Sequence, residues 1–140
     1  MSNANCFICE ADLYISDPKI FDAVLNNSCY FGKMVPGYSD DWVFDIKDGY
    51  ISRIGKYGND LYNMCGISYF KQVDSQHISN AVCKAYAKEG HEQLFWDEIV
   101  NNELNTLKLT VHPVEPEQII EIDSVAELKA IDPVYAEVSM

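Results

Sequence analysis

The stretch "NCFICEADLY", residues 5–14, decides how the rest of the chain is read. Cys6, Phe7, Ile8 and Cys9 form a short apolar run that ends in two acids, Glu10 and Asp12. A run that is apolar on both faces predicts a strand inside a parallel sheet with layers packed on either side. Such a strand rarely opens a domain, so native sequence is expected to begin inside a buried strand near Asn5, after a vector-like leader over 1–4. On a strand, residues three apart point to opposite faces, so the Cys6-x-x-Cys9 sulfurs cannot converge on one metal. The five cysteines are accordingly read as buried thiols rather than as disulfide partners or ligands.

Working outward, strands and helices interleave. Ser16 and Asp17 are expected to cap a helix with Pro18 at its first position, and Ile20, Phe21, Val24 and Leu25 form its apolar stripe. "CYFGKM" (29–34) reads as a strand and "VPGYSDD" as a polar loop. Residues 42–54 read as a hairpin around Lys47-Asp48-Gly49, and 62–70 as a further strand. Asp74 or Ser75 is expected to cap a helix whose Ile78, Val82, Ala85 and Tyr86 share a face, closed by Gly90. A short helix over 96–104, an alternating strand over 106–114, the strand "QIIEI" and a helix capped by Ser124 and Glu127 complete the pattern. The class is α/β: a single domain over 5–140, with a mixed sheet, helices on its faces and a β-hairpin insertion.

Composition narrows the partners. A formal net charge of -12, with only 10 Lys+Arg, excludes a duplex nucleic acid or an anionic membrane as the natural partner. No apolar stretch is long enough to span a bilayer, so a cytoplasmic protein is expected. The three histidines, His77, His91 and His112, are far apart, and no glycine-rich phosphate loop or nucleophile elbow is present. Any catalysis should rest on a metal and on positioning.

Ligands of open α/β sheets bind outside the carboxyl ends of the strands, and Asp12 and Asp123 each follow such an end. Two carboxylates from separate strands could share Mg²⁺, a hard ion that takes one or two carboxylates plus substrate phosphate. They could equally be a turn residue and a helix-start residue. Trp42, Tyr69, Phe70, Phe95 and Trp96 lie near strand ends or a helix start, with Asp41 and Asp97 beside the tryptophans. Aromatic rings plus a carboxylate suit a quaternary ammonium; packed core aromatics are the plainer alternative.

The ordered series "CFICEADLYI", "DDWVFDI", "MCGISYF", "LFWDEIV" and "IIEIDSVAEL" resembles the bacterial CTP:phosphocholine cytidylyltransferases, members of the sugar-phosphate nucleotidyltransferase group, from about Asn5 to Leu128. The resemblance implies a Rossmann-like nucleotidyltransferase that makes CDP-choline and pyrophosphate from CTP and phosphocholine with Mg²⁺. It implies Asp12 and Asp123 as metal-binding, catalytic aspartates, and Trp42, Trp96, Asp97 and Tyr69 as acceptor-binding groups. Glu10 stands where relatives commonly carry Asp. The glycine-rich, basic N-terminal segment of that family is absent here, which implies a C-terminal portion inactive by itself, whose exposed strand edge could pair two copies. A 2-aminoethylphosphonate or sugar-1-phosphate acceptor, or a non-catalytic choline-type binding module, are the alternatives.

Overall fold

The computed structural model describes residues 4–88, 90, 94–132 and 134. The leader residues 1–3 and His91 lie outside the described residues. The strands are β1 (Cys6–Cys9), β2 (Leu13–Ile15), β3 (Cys29–Lys47), β4 (Tyr50–Phe70), β5 (Thr110–Pro113) and β6 (Ile119–Glu121). The helices are α1 (Gln72–Tyr86), α2 (Trp96–Asn102) and α3 (Val125–Ile131).

A mixed four-stranded sheet has the order β1-β4-β3-β5, antiparallel except for the parallel β3–β5 pair. Strands β2 and β6 form a separate antiparallel ribbon. The period-2 alternation of β3 and β4 sorts their side chains into two cores. Tyr30, Phe44, Ile54 and Phe70 meet Ile78 of α1 and Val100 of α2 on one face. Cys29, Phe31, Cys65 and Ile67 meet Ile20, Val114 and Ile119 on the other, beneath the ribbon. The α/β class, the mixed sheet and the hairpin are as expected. Asp48 (φ 54°) and Gly49 (φ 84°) form the two-residue turn between Lys47 and Tyr50, and two successive positive φ values match the right-handed strand twist.

Several local expectations are corrected. Among the described residues, strand β1 pairs with β4, antiparallel rather than parallel, as the outer strand of the sheet, and its residues alternate between half-buried and exposed. Its apolar run therefore reflects one packed face and an exposed Phe7 that leans on Phe21 and Tyr69. The helix expected after Asp17 is a single 3-10 turn, Pro18–Asp22. Asp17 does cap it, accepting from the Lys19 N–H at 3.1 Å, but Ala23 turns extended and Val24 is exposed, so the stripe is not continued. The "VPGYSDD" loop is a bulged continuation of β3, with register shifts between Val35 and Tyr38 and between Ser39 and Trp42. Helix α1 starts at Gln72 after Lys71, because Asp74 accepts from Ser28 Oγ (2.5 Å) instead of capping. The strand expected over 106–114 pairs only at 110–113, although Leu107 and Leu109 are buried on the expected face. Cys9 and Cys83 are exposed, while Cys29 and Cys65 are buried with thiols pushed up to about 11 and about 12 by loss of hydration.

Gly66 connects fold to site. Its φ of +86° is left-handed, and a Cβ there would meet Glu10 Oε2 at 3.0 Å and Leu13 Cδ1 at 3.0 Å. Gly66→Ala is expected to cost about 1–3 kcal/mol in urea denaturation, through backbone strain plus displacement of Glu10.

Candidate active site

The chain changes sheets in the turn between β1 and β2, and Asp12 sits in that turn. The pairing of β2 with β6 continues one step beyond the ladder, the Ile122 N–H donating to the Asp12 carbonyl at 2.7 Å. This bond sets Asp12 beside the end of β6, where Glu121 and Asp123, two residues apart, share a face. One carboxylate oxygen from each of Asp12, Glu121 and Asp123 lies within 4.8 Å of the others, and all three residues are exposed. Helix α3 holds the far end: Ser124 Oγ accepts from the Glu127 N–H at 3.2 Å. The Glu127 carboxylate reaches back to the Asp123 N–H at 2.6 Å. The capping box is thus displaced by one residue, and its return bond fixes the backbone of Asp123 rather than that of Ser124.

Like charges so close resist joint ionisation. Loss of hydration, then the Asp123 and Asp12 carboxylates, push Glu121 up to about 7. Glu10 is raised by burial, by Asp12 and by Asp41. Asp97, the second residue of α2, is buried and pushed up to about 6 by loss of hydration, although the Tyr30 hydroxyl donates to it at 2.8 Å and opposes the rise. The donor set is all carboxylate oxygen on an open face. That chemistry fits a hard divalent cation such as Mg²⁺, which would relieve the repulsion, and gives no purchase to a thiolate-seeking metal.

The aromatic residues divide. Trp42, on the bulged part of β3, meets Phe95 edge-on at 6.1 Å and has Lys56 Nζ 5.9 Å from its ring centre. Trp96 stacks on Tyr30 at 6.0 Å and meets Phe70 edge-on, so much of its ring is spent on the core beneath α2. Both tryptophans pack against the same core, whereas Tyr69 lies on the opposite sheet face against Phe7. The structure therefore brings Asp12 to Asp123, sets Trp42, Trp96 and Asp97 around one face, and leaves Tyr69 apart from both groups. Sequence reading passed over Glu121 and Tyr30 and gave Glu10 no role in the site. The i, i+2 spacing of Glu121 and Asp123 at a strand end was the available signal for the first; the other two depend on contacts between distant segments.

No family model matches the chain. It is 54% identical over 130 residues to a 2-aminoethylphosphonate cytidylyltransferase of Lancefieldella rimae, covering 92% of this chain and 53% of that protein. It is 28% identical over 133 residues to a choline-phosphate cytidylyltransferase of Streptococcus pneumoniae, covering 92% and 56%. In fold, it matches a CTP:phosphocholine cytidylyltransferase structure from Streptococcus pneumoniae with a TM-score of 0.75 at 24% identity, over 91% of this chain and 56% of that one. A nucleoside-diphosphate-sugar pyrophosphorylase from Vibrio cholerae matches with a TM-score of 0.61 at 13% identity, over 91% and 55%. In sequence and in fold the chain is similar to the nucleotidyltransferases, and within them to the cytidylyltransferases, and it spans about half the length of the curated relatives it matches.

Proposed function

We propose that the chain supplies the acceptor side of a Mg²⁺-dependent cytidylyltransferase whose acceptor is 2-aminoethylphosphonate. The observation that carries this reading is the meeting of Asp12 with Glu121 and Asp123 from separate segments, in a chain 54% identical to a protein of that name. In the reaction, a phosphonate oxygen attacks the α-phosphorus of CTP, the bond from that phosphorus to the β-phosphate bridge breaks, and pyrophosphate leaves. Such transfers ask the protein for in-line placement and charge compensation more than for covalent chemistry. Asp12, Glu121 and Asp123 would hold Mg²⁺, which supplies charge neutralisation for the phosphoryl oxygens. The protein's own task is then to orient the acceptor. A primary ammonium carries three N–H donors and seeks carboxylate acceptors; Asp97, Glu10 and Asp41, close enough to feel one another's charge, would supply them, and Trp42 a π-face.

Phosphocholine is the second reading, favoured by the likeness to the choline-phosphate enzyme and by the Trp42–Phe95 pair. A quaternary ammonium donates no hydrogen bond and depends on several open rings. Here Trp96 is stacked on Tyr30 and Tyr69 is remote, which supports the primary amine. Pyrophosphate release by the chain joined to the portion its relatives carry outside the matched half tests both. The expected result is a kcat/KM for 2-aminoethylphosphonate at least about tenfold above that for phosphocholine, a difference of ~1.4 kcal/mol in transition-state binding. A reversed preference selects phosphocholine; turnover of neither with CTP and Mg²⁺ overturns the cytidylyltransferase reading.

A further inference from the structure

Asn63 is an oddity of the main sheet. It lies in the middle of β4, opposite both Lys33 and Val43, and is 5% exposed. Its neighbours Tyr62 and Met64 pack against the apolar core. The side-chain Nδ2–H donates to Ser39 Oγ at 2.7 Å, and Oδ1 is the buried side-chain atom left without a hydrogen-bond partner among the described residues. An unmatched buried acceptor costs on the order of 1–3 kcal/mol, so an apolar residue of similar volume would fold at lower cost.

What the amide secures lies at the other end of the same contacts. Ser39 Oγ, receiving the Asn63 N–H, also accepts the backbone N–H of Asp41 at 3.2 Å. The Asp41 carboxylate in turn accepts the backbone N–H of Trp42 at 2.8 Å. These bonds span the irregular stretch of β3, where the register shifts between Ser39 and Trp42 and the regular ladder gives no support. We infer that Asn63 and Ser39 form a strut that positions Asp41 and Trp42, and that they are positioning residues for the cationic end of the acceptor. The functional half of the inference rests on the proposed reading that Asp41 and Trp42 flank an ammonium group. The strut itself rests only on the contacts.

A purely structural Asn63 would show itself in stability alone, so the test separates stability from placement. With Trp96→Phe as background, Trp42 is the only tryptophan, and its acrylamide quenching reports how firmly it is held. Ser39→Ala and Asn63→Leu are expected to raise quenching about twofold, while Ser39→Thr, which keeps the hydroxyl, restores the parent value. Asn63→Leu is expected to do so without lowering the melting temperature. In the otherwise wild-type chain with Mg²⁺, calorimetry is expected to show 2-aminoethylphosphonate binding weakened about five- to tenfold by Ser39→Ala and Asn63→Leu, and unchanged by Ser39→Thr. Unaltered quenching in both disrupting variants overturns the strut. Altered quenching with unaltered acceptor affinity overturns its positioning role. Failure of the parent chain to bind the acceptor counts against the functional reading, and the quenching series still decides the strut.

Discussion

Asp123→Asn is expected to make the metal-free protein more stable and the complete enzyme nearly inactive. Three carboxylates meet within 4.8 Å, and the charge on Asp123 is among the causes that hold Glu121 up to about 7. Removing that charge relieves repulsion in the folded state and has little to relieve in the unfolded one, so the melting temperature in EDTA should rise. The same carboxylate is a proposed Mg²⁺ ligand, and metal charge stabilisation is worth several kcal/mol in the transition state. A loss of activity on the order of 10³-fold is therefore expected, corresponding to roughly 4 kcal/mol. Thermal unfolding with and without Mg²⁺ supplies a reading that needs no turnover. Wild type should be stabilised by Mg²⁺, by about 2.7 kcal/mol once the ion is a hundredfold above its dissociation constant, and the variant should not respond. Asp12→Asn is expected to behave alike. A wild-type protein indifferent to Mg²⁺, or a variant that keeps its response, would remove this cluster from the chemistry.

Asp97→Asn is expected to remove a pH dependence. Burial raises the Asp97 carboxyl from 3.8 to about 6 in the folded state. A carboxyl raised on folding binds its proton more tightly in the native protein. Its contribution is therefore favourable below about pH 4 and is progressively lost as pH climbs from about 4 through 6. The interval between 3.8 and about 6 corresponds to ~3 kcal/mol at neutral pH. Asparagine keeps an oxygen to accept the Tyr30 hydroxyl and carries no charge to bury. Urea denaturation from pH 4 to pH 8 should show the variant gaining on wild type by about that amount. Because Glu10 and Glu121 are raised as well, the comparison with wild type, rather than either curve alone, isolates Asp97. Affinity for a cationic acceptor should move the opposite way and fall with the lost charge. A wild-type-minus-variant difference that stays flat across this range would show that Asp97 keeps an ordinary carboxyl.

These expectations draw unequally on sequence and on structure. The two-residue turn at Asp48-Gly49, the Ser124 cap and the apolar face of Leu107 and Leu109 are set by neighbours a few residues away. Local chemistry was enough to read them. Asp12 and Asp123 were legible because acids within a few residues of strand ends are local marks too. Where tertiary contacts compete with local preference, the reading failed. Asp74 could have capped α1, but the hydroxyl of Ser28, 46 positions away, claims it. The polar run 35–41 has loop composition, yet its pairing with the far side of the hairpin draws it into a bulged strand.

The site divides along the same line. By itself the sequence determined the α/β class, the hairpin, the acidic balance and the two strand-end aspartates, since each follows from composition or from periods of two and 3.6 residues. Only the tertiary structure decided that Glu121 completes the carboxylate group, that Tyr69 faces away from the tryptophans and that Trp96 is stacked on Tyr30. It also decided that β1 pairs antiparallel with β4, and that Asn63 reaches Ser39 across 24 positions. The physical reason is the range of the forces involved. Turn geometry and capping act within a few residues, whereas desolvation, charge repulsion and ring packing depend on which distant segments the folded chain brings into contact.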